Sequence, residues 1–195
     1  KQFFSQKDPL NPKRSSNTDF AVSESFSSLA HILRHRLGKD KPVCLYVTSA
    51  RPNEGKTSVL ANLAVQLSAI ESKVLMIDLD LRKRSMSRKL GLVHGVKGIS
   101  NYLYDQKLNV DDILQKDVFP GVDAIPAGMV PPNPVELLRR GRLDELMDAL
   151  RREYDYILLD NVPVDMVADS TVINRLVDTT LFIIRAGNVD RRILN

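Results

Sequence analysis

Val43-Cys44-Leu45-Tyr46-Val47-Thr48-Ser49-Ala50-Arg51-Pro52-Asn53-Glu54-Gly55-Lys56-Thr57-Ser58 is the stretch on which the fold turns. Five apolar residues in a row, without polar alternation, predict a strand buried on both faces. Beyond the polar turn, Val59, Leu60, Leu63, Ala64 and Leu67 recur at helical spacing and predict a helix from Thr57 to Ile70. A Gly-Lys-Thr turn between a strand and a helix is the setting a phosphate-binding loop requires. Each residue type has a task there. Successive backbone N–H groups and the helix N-terminus form a nest for an anion. Gly55 lets the backbone approach the phosphates, Lys56 places a point charge on the β and γ phosphates, and Thr57 offers a hydroxyl to Mg²⁺. Ala50 stands where the general pattern has its first glycine. The expected nucleotide contacts are Ala50, Arg51, Pro52, Asn53, Glu54, Gly55, Lys56, Thr57 and Ser58.

The same alternation continues outward. Val74-Leu75-Met76-Ile77 and Tyr156-Ile157-Leu158-Leu159 predict buried strands, Val122 to Pro126 a third, and Leu181 to Ile184 a last one. Val22, Phe26, Leu29, Leu33 and Leu37 form one helical stripe that Gly38 ends. Short helices are expected at Ile99–Leu103 and Val110–Leu114. Asn133-Pro134-Val135-Glu136 has the chemistry of a helix start, with Leu143–Arg152 and Ser170–Leu176 as further helices. Buried strands alternating with amphipathic helices imply an α/β fold: a mostly parallel, P-loop-type sheet covered on both faces. Residues 1–18, polar and punctuated by Pro9 and Pro12, read as an extended arm, and residues 19–195 as one domain.

Carboxylates end two of these strands. Asp78 and Asp80 follow Val74–Ile77 two residues apart, and Asp160 follows Leu159. In an open parallel sheet, ligands sit at the carboxyl ends of the strands. Asp78, Asp80 and Asp160 are therefore expected to converge on a metal ion beside Thr57. Arg185, after the last strand, is expected to border the base of the nucleotide.

Bulk composition narrows the alternatives. In 195 residues, 43% are apolar and 27% charged, which suits one globular domain. The net charge of +4 permits an anionic ligand but does not argue for nucleic acid. Cys44 is the single cysteine and reads as a small buried hydrophobe, which excludes an internal disulfide and fits a reducing cytosol. His31, His35 and His94 lack the further ligands a zinc site needs. No run reaches the roughly 18 apolar residues of a membrane span. The Lys1-Gln2-Phe3-Phe4 start carries neither an initiating Met nor a signal pattern, so the chain reads as a piece of something longer.

Taken together, these motifs resemble those of the bacterial tyrosine kinases. Ala50-Arg51-Pro52-Asn53-Glu54-Gly55-Lys56-Thr57 resembles their phosphate loop, Asp78-Leu79-Asp80-Leu81-Arg82 their second acidic motif, and Leu158-Leu159-Asp160-Asn161-Val162-Pro163-Val164 their Walker B segment. Asn161 and Val162 depart from the usual Asp-Thr-Pro-Pro-Val form. Gly128 to Leu138, with its Pro-Pro-Asn-Pro-Val-Glu-Leu-Leu run, is also similar. The resemblance implies ATP and Mg²⁺ as cofactors, with Lys56 on the phosphates and Thr57, Asp78 and Asp160 about the metal. Asp80, farther along the same face, is read as the base for a tyrosine hydroxyl, and Arg82 as a residue that steadies phosphate, docks an acidic substrate stretch or forms an ion pair within the fold. The resemblance further implies autophosphorylation in trans of a tyrosine-rich tail within a homo-oligomer. The domain would lie on the cytoplasmic side of an inner-membrane protein that governs capsule or exopolysaccharide synthesis, with a membrane-spanning activator segment fused or separate. The family's N-terminal helix carries Glu-x-x-Arg-x-x-Arg at the subunit interface; here Glu24 is present, but Ser27 and Ala30 replace the arginines. ATPase switches of the MinD/ParA type share several of these motifs but carry a lysine at the position of Arg51. A nucleotide-binding regulator of polysaccharide assembly without kinase activity is the third reading.

Overall fold

The structure is a computed structural model that describes residues 17–38, 41–92, 96–161 and 173–185. Most of the expected N-terminal arm, His94, Val162-Pro163-Val164 and the start of the expected Ser170–Leu176 helix lie outside the described residues.

In chain order the elements are α1 (Asn17–Leu37), β1 (Val43–Ser49), α2 (Lys56–Ala69), β2 (Val74–Asp78), α3 (Ser85–Lys89) and α4 (Ile99–Tyr104). A 3₁₀ turn at Val110–Asp112 leads into β3 (Gln115–Phe119) and β4 (Val122–Ile125). Then come α5 (Pro134–Leu138), α6 (Gly141–Leu150), β5 (Tyr156–Asp160) and β6 (Thr179–Ile183). The strands form one six-stranded sheet in the order β3-β4-β2-β5-β1-β6, parallel except for the antiparallel β3–β4 pair.

Strand alternation assigns side chains to two cores. Val43, Leu45, Val47, Val74, Met76 and Leu158 face α1 and α2. Cys44, Tyr46, Leu75, Ile77, Ile157 and Leu159 face the layer built by α4, α5 and α6. Both faces are covered, so β1, β2 and β5 are buried at every residue. Leu60, Leu63 and Leu67 of α2 are fully buried, each removing apolar surface worth about 2 kcal/mol.

The strands that matter to function are the central ones. Residue by residue, β5 lies between β2 and β1, with Asp160 opposite Asp78 on one side and Val47 on the other. The carboxyl ends of β1, β2 and β5 therefore open at one place, where the phosphate loop leaves β1.

Three local expectations are corrected. β3, where no strand was expected, has a charged, half-exposed sequence because it is an edge strand paired on one side only. The last strand starts at Thr179, two residues before the apolar run, because strand pairing with β1 at Leu45 extends past the buried stretch. Asn133 sits at the start of α5, but its Nδ2 donates to Glu136 (3.3 Å) and the side chain accepts no backbone N–H.

Candidate active site

The site begins with the backbone of the loop. Asn53 (φ 64°) and Gly55 (φ 99°) are left-handed, which turns the chain sharply before α2. Gly55 takes this conformation without a Cβ penalty, and no protein atom stands within 4 Å of where a Cβ would be. Side chains lock the loop from inside. Glu54 is buried, and its Oε2 accepts from the Arg51 amide (3.0 Å). Ser49 Oγ donates to the Arg51 carbonyl (2.7 Å) and accepts from Lys56 Nζ (3.1 Å).

Under the loop, Thr57 Oγ1 donates to Asp160 Oδ2 (2.8 Å), which ties the first turn of α2 to the end of β5. Asp160 is 1% exposed, and its Oδ1 has no hydrogen-bond partner among the described residues. Burial holds the Asp160 carboxyl above the usual carboxylate range, against the Thr57 hydrogen bond and the Lys56 charge. Burial likewise pulls the Lys56 ammonium down, with Asp160 and Asp80 opposing. A buried carboxylate oxygen without a donor, beside a threonine hydroxyl, suits a hard cation that takes oxygen ligands and keeps several waters. Asn161 adds to the polar surface: it is 2% exposed, and neither side-chain polar atom has a partner among the described residues.

Asp80 and Asp78 play different parts. The Asp80 carboxylate is held by the Lys83 amide at Oδ1 (2.9 Å) and the Ser85 hydroxyl at Oδ2 (2.9 Å). Asp78 is fully buried: its Oδ2 accepts from the Ser87 amide (2.7 Å) and hydroxyl (2.6 Å), and its Oδ1 from the Asp80 amide (3.1 Å). Ser87 Oγ also accepts from the Ala127 amide (2.9 Å). Asp78 thus organises the backbone below the site. Burial and the neighbouring Asp160 charge push its carboxyl well up, against the two Ser87 hydrogen bonds.

Above these buried groups opens a cavity of about 700 Å³. Pro52, Asn53, Gly55, Lys56, Thr57 and Ser58 line one side; Asp80, Lys83, Ser85, Arg88, Lys89 and Asn161 complete it. The expected convergence of three carboxylates is corrected: among the described residues no three acidic, histidine or cysteine side chains group closely enough to hold an ion. The reason is the Ser87 and Asp80 donors, which already occupy Asp78. Ala50 and Glu54 are buried behind the loop, while Arg51 is exposed and lies off the cavity lining. Arg82 points elsewhere, into a second cavity of about 650 Å³ lined by Val130 to Glu136 and Arg139. Arg185 is exposed and does not line the phosphate cavity. Sequence reasoning missed Ser85 and Ser87 as carboxylate partners. Serines two apart just after an Asp-x-Asp were the available signal.

Proteins of similar sequence and fold give the family. A family profile described as an AAA domain matches residues 48–185. The chain is 39% identical to the tyrosine-protein kinase etk of Escherichia coli K12 over 169 residues, 87% of this chain and 23% of that one. It is 32% identical to the tyrosine-protein kinase CpsD of Streptococcus agalactiae over 154 residues, 79% of this chain and 66% of that one. The kinase domain of the Escherichia coli tyrosine kinase ETK superposes with a TM-score of 0.81 at 32% identity, covering 88% of this chain and 67% of that one.

The chain belongs to the bacterial tyrosine-kinase family.

As a P-loop member of that family it is a nucleotide-binding domain. It spans about a quarter of the length of the etk relative and about two thirds of CpsD. The septum site-determining protein MinD of Pyrococcus horikoshii, complexed with Mg-ADP, is more distant, with a TM-score of 0.61 at 26% identity over 73% of this chain and 57% of that one. Within the tyrosine-kinase family, the α1 departure has a structural side. Ala30, where an arginine was expected, is 1% exposed and packed in the core with α2. Among the described residues no helix is long and apolar enough to cross a membrane.

Proposed function

We propose that this domain is the catalytic part of a protein-tyrosine kinase that transfers the γ-phosphoryl group of MgATP to tyrosine hydroxyls. The observation that carries the reading is one cavity lined by the Gly55–Thr57 turn and by Asp80, with Asp160 buried beneath the turn and bonded to Thr57. Phosphoryl transfer asks the protein for positioning and charge stabilisation. Lys56 and the loop amides bind the β and γ phosphates. Thr57 and Asp160, whose Oδ1 has no hydrogen-bond partner among the described residues, are the residues that would hold magnesium. When bound, magnesium neutralises charge that builds on the phosphate oxygens. Asp78 keeps the segment beneath in place. Asp80, fixed by Lys83 and Ser85, accepts the tyrosine proton. A phenol with a pKa near about 10 needs an oriented acceptor of this kind at neutral pH.

The same reading places the domain on the cytoplasmic side of a membrane protein, as a homo-oligomer that modifies a tyrosine-rich tail on a neighbouring subunit under a membrane-spanning activator. Support for a polysaccharide role comes from the Klebsiella pneumoniae relative, described as a putative tyrosine-protein kinase in the cps region and 37% identical over 86% of this chain. Incubation with γ-labelled ATP and Mg²⁺, followed by phosphoamino-acid analysis, tests the proposal. Label on tyrosine is expected; release of free phosphate alone means an ATPase switch, and no turnover means a regulator.

A further inference from the structure

We propose that Lys83, Arg88 and Lys89 form a substrate-selecting wall that takes acidic residues flanking the target tyrosine. The inference rests on the kinase reading above and names its substrate class. All three side chains line the cavity and come from the segment that directly follows Asp80. They border whatever reaches that carboxylate. All three are exposed, and among the described residues none of them is in an ion pair. Lys89 Nζ donates to Ser58 Oγ, so α3 is tied to the first turn of α2 beside the phosphate loop.

The charge balance points to an acidic occupant. The lining holds four cations, Lys56 and these three, against one carboxylate, Asp80. A triphosphate held by the loop and Lys56 would leave Lys83 and Arg88, farther along the lining, with no anionic partner there but Asp80. A neutral or basic peptide approaching Asp80 would meet that charge unpaired, whereas glutamate or aspartate beside the tyrosine would pair with it. Opposite charges arranged this way discriminate between partners more than they raise affinity.

The test uses the chain with two tyrosine peptides of equal length, one flanked by Glu and one by Gln. Wild type is expected to favour the Glu peptide by about tenfold in kcat/KM, a preference that weakens with salt. In Arg88→Gln/Lys89→Gln the ratio should fall to near one. In Arg88→Glu/Lys89→Glu it should invert toward a Lys-flanked peptide. A wild-type ratio near one, or a ratio that neither variant changes while the KM for ATP rises, would overturn the proposal and assign the cations to the nucleotide. Failure of wild type to phosphorylate any tyrosine while it binds ATP would instead remove the kinase reading, and this inference with it.

Discussion

Thr57 and Asp160 are 103 residues apart in sequence and 2.8 Å apart in space, hydroxyl to carboxylate. That contact joins the phosphate loop to the central strand of the sheet. It sets a threonine hydroxyl beside a buried carboxylate without a cluster of acidic side chains among the described residues. Removing the Thr57 hydroxyl should weaken magnesium-dependent ATP binding while the fold survives. Thr57→Ala is expected to raise the Kd for ATP in Mg²⁺ by about tenfold, since hydrogen bonds to charged groups are worth about 1.5–3 kcal/mol. The Kd measured in EDTA should move much less. Equal loss in both conditions would mean the hydroxyl serves the loop alone.

Gly98 is a matter of space. A Cβ there would lie 2.1 Å from the Pro126 carbonyl oxygen and 2.4 Å from the Gly128 amide nitrogen. The same contact carries the Ile99 amide to Pro126 (2.8 Å), which docks α4 beside the end of β4. Gly98→Ala should therefore cost about 1–3 kcal/mol, as overpacking against a fixed backbone does. Urea denaturation checks this; an unchanged midpoint would contradict the close approach.

Buried carboxyls give the domain a pH dependence of known sign. The folded state raises Asp78 from 3.8 to about 8, so it binds that proton more tightly than the unfolded chain. This stabilisation is full below the unfolded value and fades as pH rises between 3.8 and 8. Without nucleotide, wild type should lose stability relative to Asp78→Asn across that window, by thermal melts in matched buffers. A difference independent of pH would mean that Asp78 is ionised throughout.

The tyrosines sort by exposure. Tyr46, Tyr156 and Tyr154 are 1%, 5% and 8% exposed, and Tyr154 Oη donates to Asp123 (2.6 Å). Tyr104, at the end of α4, is 71% exposed. Any phosphate the domain places within these described residues is expected on Tyr104. Peptide mapping by mass spectrometry checks this, and phosphate on Tyr46 or Tyr156 would require the sheet to open.

Much of this was legible in the residues. β1, β2 and β5 are unbroken apolar runs because both sheet faces are covered, and the Gly-Lys-Thr turn marks the loop that lines the cavity. β3 was not legible, since an edge strand with charged side chains carries no periodic signal. Nor was the division of labour between the aspartates. Asp78 and Asp80 look equivalent in sequence, but Ser87 captures one and Ser85 with the Lys83 amide captures the other. Those partners are set by the short α3 helix, whose five residues are too few for a recognisable stripe. Arg82 belongs to the same lesson: two residues past Asp80, it turns into the neighbouring cavity.

The most direct test pairs two readouts on three proteins: equilibrium ATP binding and phosphotyrosine formation for wild type, Lys56→Met and Asp80→Asn. The account predicts that Lys56→Met loses both, while Asp80→Asn still binds ATP and makes no phosphotyrosine. Undiminished phosphotyrosine from Asp80→Asn would contradict it, because the hydroxyl proton would then leave by another route.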